Sequence, residues 1–421
     1  MRRGSPTVQA MDSPRTVPSL PPVSRPSSRV PWPVAKLGDV ADLALGKMLD
    51  QKKNKGTNRK YLANVNVRWG AFNLDHLKEM PFQDSEMERY GLRYGDIVMC
   101  EGGEPGRCAI WKNQLPGMMY QKALHRIRPR DGLDFRFLYY HFLLLGRKNG
   151  FDGLFTGSAI KHMPKDKLAL VEIPLPPLPV QRRIADILSA YDDLIENNRR
   201  RIAILEETAR LAYRKWFGNT KAPTSTLGEI CKTFGGGTPK TSVKEYWDGD
   251  VPWVVPTDVT RNPCLALLDT ERKITALGLE KSSAKMLPAN AILLTSRASV
   301  GYFAVADFPV CTNQGFIGIV PHDTSLRWYI LFNLMSRVEE IRNNAKGATF
   351  PEISRTRFRD MEIAVPDEES TTAFNAIVTP LMTQVRTLAK QSAQLTSARD
   401  ILLPKLINPV SRKELSTCMQ G

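Results

Sequence analysis

Basic and amide side chains are concentrated in one short stretch near the beginning of the chain. Its basic members are Lys47, Lys52, Lys53, Lys55, Arg59, Lys60 and Arg68, and its amides include Asn64 and Asn66. Lysine and arginine neutralise phosphates, arginine can bond guanine, and asparagine can bond adenine through two hydrogen bonds. Such a run of charge is often only a solvated loop. Its mixture with amides, Tyr61 and Trp69 favours contact with a nucleic acid.

Two further groups of polar residues have the same chemistry. The first group continues the first half of the chain with Arg107, Lys122 and Arg126. The second group lies in the second half and comprises Thr238, Lys240, Thr241, Lys244, Arg297, Tyr302, Asn313 and Gln314. Trp247 and Trp253 lie near this second group, and the sequence leaves open whether they are core or contact residues.

No set of residues has the spacing of a catalytic or metal site. The five histidines show no His-x-x-x-His pair, and the six cysteines show no Cys-x-x-Cys pair. The run GGGTPK at 235–240 lacks the Gly-Lys-Ser/Thr ending of a phosphate-binding loop. We therefore expect no metal, no cofactor and no catalytic centre in the chain itself, and the unpaired cysteines favour a reducing cytoplasm.

The overall charge points to a polyanionic partner. The 421 residues carry a formal net charge of +16 at pH 7, and 42% of them are hydrophobic, which is typical of a folded protein of two or three domains. No apolar run reaches the roughly 18 residues that a membrane span needs, so we expect no contact with a membrane. Residues 1–30 are rich in proline, serine and arginine, and this composition predicts a disordered tail.

Two halves of the chain resemble each other. LGDV at 37–40 returns as LGEI at 227–230, and EIPLP at 172–176 returns as EIAVP at 362–366, both after the same shift of 190 residues. Between them, GRCAI at 106–110 matches GYFAV at 301–305 after a slightly larger shift, as loop variation on a common fold would produce. A repeat of this length indicates two copies of a domain.

A long helix follows each copy. Its signature is a seam of residues spaced alternately three and four positions apart, which is typical of a coiled coil. In the first helix the seam comprises Leu188, Tyr191, Ile195, Asn198, Ile202 and Leu205 and continues through Ala212 to Trp216. In the second it comprises Val378, Leu381, Val385, Leu388, Leu395 and Leu402, with Arg399 also on the seam. We expect the two helices to pair as an antiparallel coiled coil, and Asp192 and Asp193 to be solvated.

These patterns together predict an α+β fold. We expect two similar α+β domains at 31–175 and 221–365, long spacer helices at 178–217 and 368–407, and a tail at 408–421. Strands are expected at Asp96–Cys100, Ala291–Thr295 and Gly315–Val320, and helices at Phe135–Leu145 and Leu326–Asn343. Pro380 is expected to begin or kink the last helix, since proline cannot donate the helical hydrogen bond.

The chain resembles the specificity subunit of type I restriction-modification systems. The resemblance rests on GKMLDQKKNKGTNRKYLANVNVRWG at 46–70, GGGTPKTSVKEYWDGDVPWVVPTDV at 235–259 and EIPLPPLPVQRRIADILSAYDDLIENNRRRIAILEETARLAYRKWF at 172–217. It covers nearly everything between Trp32 and Asn408, and the last helix is its least typical part.

This resemblance implies a division of labour. Two target-recognition domains each read half of a bipartite site in double-stranded DNA, and the paired helices act as a spacer. The helices also dock two methyltransferase subunits, and a separate motor-nuclease subunit joins for restriction.

Two other readings stay open at this point. The chain could be a fragment of a fused restriction-methylation enzyme, although the Asn/Asp-Pro-Pro-Tyr/Phe motif of a methyltransferase is missing. It could instead be a coiled-coil adaptor for acidic proteins. An adaptor would show no base preference, whereas a specificity subunit would bind DNA in a salt-dependent and sequence-specific way.

Overall fold

The computed structural model describes residues 32–50, 52, 54–157, 161–218, 222–347 and 351–408. The expectations for residues 1–30 and for Lys53 therefore lie outside the described residues, as does the tail after Asn408.

The first domain is built from short strands and helices. Its strands are β1 Val34–Lys36, β2 Ala41–Leu45, β3 Thr57–Leu62, β4 Val67–Arg68, β5 Ala71–Phe72, β6 Lys78–Phe82, β7 Ile97–Cys100, β8 Cys108–Ile110, β9 Met119–Tyr120, β10 Leu124–Pro129 and β11 Glu172–Pro174. Its helices are α1 Leu37–Val40, α2 Met87–Tyr90, α3 Phe135–Arg147 and α4 Lys165–Leu168. The long helix α5 then spans Leu178–Phe217.

The second domain and its helix repeat this series. The strands are β12 Thr224–Thr226, β13 Cys231–Gly235, β14 Trp247–Val254, β15 Ala266–Leu267, β16 Arg272–Ile274, β17 Ile292–Thr295, β18 Phe303–Ala306, β19 Cys311–Thr312, β20 Phe316–Pro321 and β21 Glu362–Ala364. The helices are α6 Leu227–Ile230, α7 Pro256–Thr260, α8 Ala276–Glu280, α9 Arg327–Ser336, α10 Val338–Asn344, α11 Arg355–Arg359 and α12 Glu368–Ile407. The single helix expected over Leu326–Asn343 is thus interrupted at Arg337, where the backbone leaves the helical conformation.

Three corresponding sheets occur in both domains, and the first domain also has the two-stranded sheet β4-β5. The first domain has the strand orders β2-β10-β7-β8, β6-β3-β9 and β1-β11, and the second has β13-β20-β17-β18-β15, β16-β14-β19 and β12-β21. In each three-stranded sheet the central strand pairs antiparallel with one neighbour and parallel with the other. The prediction of two similar α+β domains is confirmed.

Proline and aspartate set the starts of the long helices. Helix α5 begins after Pro177 with a proline in its first turn, where no helical hydrogen bond is lost. Asp367 caps α12 by accepting a hydrogen bond from the backbone of Ser370 at 2.7 Å. Pro380 does not begin the helix, because α12 is already continuous from Glu368 and passes through this residue.

The two long helices pair antiparallel. Asp192 near the start of α5 forms an ion pair with Arg399 near the end of α12. At the opposite end, the rings of Phe217 and Phe374 lie 5.1 Å apart. The predicted antiparallel pairing is therefore confirmed.

Burial along the helices follows most of the predicted seam. Leu188, Ile195, Asn198, Ile202, Val378, Val385 and Leu388 are buried. Tyr191, Leu205, Leu381, Leu395 and Leu402 are half-buried. The seam drifts toward the end of α5, where Tyr213 and Phe217 are buried and Trp216 is 39% exposed. Trp216 is thus not a seam residue. A straight helix has 3.6 residues per turn, so a strict heptad pattern gradually rotates away from the partner helix. This end of α5 also packs against the second domain.

Each domain packs on one end of the helical pair and contacts both helices. The core of the first domain includes Leu188 of α5 and Leu403 and Ile407 of α12. The core of the second domain includes Tyr213 of α5 and Phe374 of α12. The C-terminal helix therefore completes the core of the N-terminal domain, and the two domains lie at opposite ends of the pair.

Asp192 corrects one expectation about charge. Its carboxylate accepts a hydrogen bond from the hydroxyl of Tyr140 at 2.7 Å in addition to pairing with Arg399. Arg399 also contacts Asp400, which pairs with Arg147 of the first domain. Asp192 is therefore part of a partly buried network that joins α3, α5 and α12, and only Asp193 is exposed as expected.

Candidate nucleic-acid interface

The two domains hold their polar loops by the same set of backbone hydrogen bonds, which we call the hydrogen-bonded frame. In the first domain, the backbone N–H of Lys47 donates to Tyr120 at 3.1 Å. In the second, the N–H of Gly237 donates to Thr312 at 2.9 Å. These matching bonds make Lys47 equivalent to Gly237, and the following residue, Met48, equivalent to Thr238.

A second pair of bonds aligns the loops that enter the central strands. Gln121 N–H donates to Leu62 and Asn313 N–H donates to Val254, both at 3.0 Å. Gln121 is therefore equivalent to Asn313, and Lys122 to Gln314. Both Lys122 and Gln314 are exposed, so one backbone position presents a cation in one domain and an amide in the other.

Much of the basic stretch in the first domain faces solvent. The exposed members are Lys52, Lys55, Lys60 and Arg68. Arg59 is half-buried on β3 and donates to the carboxylate of Asp84 at 3.2 Å, but that carboxylate is itself 92% exposed. An exposed ion pair of this kind contributes little stability, so the Arg59 guanidinium could exchange it for a phosphate.

Lys47 has an internal role instead. Only 7% of the residue is exposed, and its ammonium contacts the carboxylate of Glu86 at 2.6 Å and the carbonyl of Pro81 at 2.9 Å. It also lies 4.8 Å from the centre of the Phe82 ring. Burial opposes ionisation of Glu86, but the bonds from Lys47 and from the Gln83 backbone outweigh it and lower its pKa. Lys47 is therefore not available to a phosphate.

The two asparagines of the stretch support loops. Asn66 is buried, accepts a hydrogen bond from the Ala63 backbone at 2.9 Å and donates to Asn73 at 3.0 Å. Asn64 donates to the carbonyl of Gly102 at 2.9 Å. Asn66 uses both groups of its amide in these bonds, and Asn64 uses its amide nitrogen, so both side chains shape the surface from within.

Arg107 and Arg126 are also engaged by the protein. Arg107 pairs with Glu104 and donates to the Asn64 carbonyl at 3.1 Å. Arg126 is buried and donates to the Arg89 carbonyl at 3.0 Å. The structure therefore brings Asn64 and Arg107 together beside the loop at 102–106 and places Arg126 inside the domain.

In the second domain, Thr238 and Gln314 come together although 76 positions separate them. The hydroxyl of Thr238 is hydrogen-bonded to Oε1 of Gln314. Asn313 is half-buried, and its side-chain oxygen accepts a hydrogen bond from the backbone of Gly315 at 2.9 Å. Gln314 is exposed, so its amide is the available one of the two.

Arg297 lies beside the same cavity, whereas Tyr302 does not. Arg297 forms an exposed ion pair with Glu352 at 3.3 Å, and Glu352 and Gln314 line one cavity of about 440 Å³. Tyr302 lines a different cavity together with Glu206 and Arg210 of α5. Tyr302 thus belongs to the junction between the second domain and the long helix.

The remaining candidates of the second domain lie in an exposed loop. Lys240, Thr241 and Lys244 all face solvent. The neighbouring tryptophans are core residues, since Trp247 and Trp253 are buried with ring centres 5.1 Å apart. This settles the alternative that the sequence left open for them.

Two basic residues beside the cavity had escaped sequence reasoning. Lys285 and Arg355 line it with Gln314, and Arg355 occupies the place that Lys165 has in the first domain. Lys285 and Arg355 lie in separate segments without a local concentration of charge, so the sequence gives no sign that they face the same cavity. The only available signal is that a basic residue, Lys165 or Arg355, occurs at the same position of both copies.

The described residues show no metal-binding cluster. Among them, no group of three or more histidine, cysteine or acidic side chains could hold a metal ion. Burial raises the pKa of Cys231 and Cys311 to about 12, which keeps these thiols protonated and unreactive. No helix within the described ranges is long and apolar enough to cross a membrane.

A model of the type I restriction modification DNA specificity domain matches residues 29–207 and again residues 220–397. The chain belongs to this family. The two matches correspond to the two copies of the domain with their long helices, and the resemblance inferred from the sequence motifs is thereby confirmed.

Individual members of the specificity family are similar over different lengths. The MjaIX specificity subunit of Methanocaldococcus jannaschii is 39% identical over 145 residues, which span 34% of this chain and only 33% of that protein. The HindI specificity subunit of Haemophilus influenzae is 21% identical over 417 residues, with 80% of this chain and 90% of that protein covered.

A solved member of the family has the same fold. The crystal structure of the type I restriction-modification S subunit from M. genitalium aligns with a TM-score of 0.56 at 19% identity, covering 91% of this chain and 98% of that one. At this identity the likeness concerns the fold alone, and it extends over both domains and both helices.

Proposed function

We propose that this chain is the DNA-reading subunit of a type I restriction-modification complex and has no catalytic centre of its own. Residues 31–175 and 221–365 each read one half of a bipartite site in double-stranded DNA. One observation carries this proposal. The same hydrogen-bonded frame occurs at both ends of a helical pair and presents different side chains at equivalent positions, such as Lys122 and Gln314.

The antiparallel pair gives the two domains a suitable relation. Its two ends are related by an approximate two-fold axis, so similar domains at the ends meet a duplex with opposite polarity, as half-site readers do. Because both helices contribute to both cores, the pair holds the domains at a constant separation. A constant separation translates into a constant gap between the two half-sites.

Charge and exposure support contact with DNA. Lys52, Lys55, Lys60 and Lys122 are exposed in the first domain, and Lys240, Lys244 and Lys285 are exposed in the second. Non-specific attraction to the phosphate backbone would come from these cations, and base readout from the loops between them.

Helix α5 offers a surface for the methyltransferase subunits. Val180, Ile187 and Leu194 are exposed and succeed one another every seven residues, and Ile204 and Leu211 repeat this spacing further along. Apolar residues at this spacing lie on one side of a helix, where they suit a partner helix. We propose that two methyltransferase subunits dock on the helical pair, and that a motor-nuclease subunit joins the assembly for restriction.

Mapping of methylated adenines tests the function directly. The chain is expressed with its methyltransferase subunits in cells that lack this modification, and N6-methyladenine is located across the genome. We expect a bipartite sequence with a constant gap. Replacing residues 221–365 by those of another family member should change one half only. Methylation without base preference, or methylation that does not depend on this chain, would contradict the proposal and favour an adaptor.

A further inference from the structure

We propose that Gln314 reads an adenine–thymine pair in the second half-site, and that Thr238 is the positioning residue that orients its amide. This inference rests on the proposed function and deepens it, because it assigns one base preference to one pair of side chains.

The backbone around the pair is held firmly in place. A Cβ added to Gly236 would lie 1.8 Å from the carbonyl oxygen of Asn313, so only glycine allows the two segments to approach this closely. The Gly237 N–H donates to Thr312 at 2.9 Å, and its carbonyl accepts a hydrogen bond from the indole of Trp253 at 2.9 Å. Thr238 is therefore presented to Gln314 by a rigid turn.

The hydrogen bond leaves the Gln314 amide with a defined set of free groups. The Thr238 hydroxyl donates to Oε1, which retains one lone pair, and the amide nitrogen retains both of its N–H groups. Gln314 therefore presents one acceptor and one donor side by side in a constant orientation. Its neighbour Asn313 is less accessible to a base, because it is half-buried and its side-chain oxygen closes the turn with Gly315.

This arrangement complements the major-groove edge of adenine. Adenine offers the N6 amino group as a donor and N7 as an acceptor, whereas guanine offers two acceptors. An amide that is free to rotate could turn its N–H groups toward guanine. A turned amide would have to donate one of its two N–H groups to the Thr238 hydroxyl, which leaves only one for the two acceptors of guanine. Thr238 thereby adds discrimination without contacting the base.

The surroundings suit a nucleic acid strand. Lys285 and Arg355 line the cavity beside Gln314, and Glu352 on its wall is paired with Arg297. Three cations therefore oppose one carboxylate at this place, which favours a phosphate backbone next to the base edge. Since the Arg297–Glu352 pair is exposed, its exchange for a contact with DNA has a small cost.

The first domain provides a natural comparison. Met48 and Lys122 occupy the positions of Thr238 and Gln314 there, so the hydroxyl–amide pair is replaced by a thioether and a cation. The same frame thus presents different side chains in the first domain, which favour a different base pair. Changes at Gln314 should therefore leave the first half-site unaltered.

The test uses the complete complex and three single variants. Methylated sites are mapped for the wild type, Gln314→Glu, Thr238→Val and the control Gln114→Glu, which places the same charge change on an exposed glutamine of the first domain. The carboxylate introduced by Gln314→Glu would only accept hydrogen bonds, so we expect one base pair of the second half to change from A·T to C·G. Thr238→Val should relax the preference at that same base pair roughly 5-fold or more, within the range of about 5- to 150-fold that a good base contact provides.

The unchanged first half-site and gap serve as the internal check that each variant folds and assembles. An unaltered second half in both Gln314→Glu and Thr238→Val would overturn the assignment, as would changes at two different base pairs. A change of the second half caused by Gln114→Glu would also overturn it, because the effect would then follow from charge alone. A wild-type complex without a bipartite methylation site would instead overturn the proposed function itself.

Discussion

Internal partners decide which polar side chains are available for binding. Lys47 and Lys52 look alike in the sequence, yet Lys47 pairs with Glu86 inside the domain while Lys52 is exposed. Asn66 and Gln314 differ in the same way, because both groups of the Asn66 amide are used by backbone atoms. Fewer basic and amide side chains are therefore available to DNA than the amino-acid composition of the chain suggests.

The exposed lysines of the first domain should determine the salt dependence of DNA binding. In the assembled complex, Lys52→Ala, Lys55→Ala and Lys60→Ala together should reduce the slope of log affinity against log salt by roughly 0.9 for each phosphate that is no longer neutralised. Fluorescence anisotropy with a labelled duplex at several salt concentrations measures this slope. The matched control is Lys47→Met, which should lower the stability of the domain and keep the slope. Equal slopes for the triple variant and the wild type would show that these lysines are only solvated.

A buried histidine should make the first domain sensitive to acid. Burial lowers the pKa of His141 to about 4, although the hydrogen bond from its Nε2 to the Glu172 carbonyl at 3.0 Å opposes this shift. The unfolded chain takes up the proton near pH 6.5. Neutral His141 therefore stabilises the folded domain fully above pH 6.5, and this contribution to the free energy of unfolding is lost as the pH falls toward 4. Between pH 7 and pH 5 this residue should reduce the free energy of unfolding by about 2 kcal/mol.

Urea unfolding of His141→Leu at pH 7 and pH 5 checks this expectation. Leucine is apolar and close to histidine in volume, so the substitution suits this buried position. The difference in stability between the two pH values should shrink by about 2 kcal/mol relative to the wild type. The exposed His322, changed to glutamine, is the control and should leave the difference as it was. A pH dependence that persists in His141→Leu would assign it to other groups.

At the scale of elements, a polar network replaces apolar contacts at one end of the helical pair. Arg399 occupies a seam position, but its guanidinium contacts Asp192 of α5 and Asp400 of its own helix. Tyr140 and Arg147 of α3 extend the network into the first domain. The least typical feature of the last helix thus has a structural role, because it aligns the two helices and attaches the first domain to both.

Removing Arg399 should destabilise this end of the molecule. Arg399→Met retains much of the side-chain volume but leaves Asp192 partly buried without its cation, so we expect a loss of about 2 to 4 kcal/mol in the free energy of unfolding. In a double-mutant cycle, Asp192→Asn should recover part of that loss. Arg200, whose ion pair with Glu196 lies on the exposed face of α5, supplies the control as Arg200→Met with an expected change below about 0.5 kcal/mol. Additive effects of the Arg399 and Asp192 changes would argue against a direct coupling.

At the scale of the whole molecule, the length of the helical pair sets the distance between the two DNA-reading surfaces. Both cores draw residues from both helices, so the domains cannot move independently of the pair. The middle of the pair lies between the two domain cores. It is the part where length can be altered with the least effect on either domain.

Lengthening the pair should lengthen the gap in the recognised DNA. One heptad is inserted after Ile195 in α5 and one after Thr396 in α12, which lie three residues beyond Asp192 and three before Arg399. The pair then grows by about 10 Å. We expect the gap to increase by about three base pairs, while the bases of each half stay the same. Mapping of methylated adenines gives both quantities in one measurement.

Inserting one heptad after Leu205 in α5, without an insertion in α12, is the variant to compare with this double insertion. It shifts the part of α5 that follows Leu205, whose Glu206 carboxylate is bonded to the Leu265 backbone at 2.6 Å, against α12. We expect this variant to lose site-specific methylation or to alter the gap. If either insertion changed the identity of the recognised bases, the role of the helices as a spacer would be wrong.

The amino-acid sequence by itself determined the duplication, the α+β class, the two long helices and their antiparallel pairing. These features follow from local patterns, namely repeated motifs and apolar residues at helical spacing, which are legible without a partner segment. Only the tertiary structure decided which charged and amide groups face solvent. Lys47, Asn66, Arg126 and Asp192 each form hydrogen bonds to residues distant in the sequence or to loops around them, and Thr238 meets Gln314 across 76 positions. Hydrogen bonds between distant segments depend on distances of a few tenths of an ångström, which no local pattern encodes.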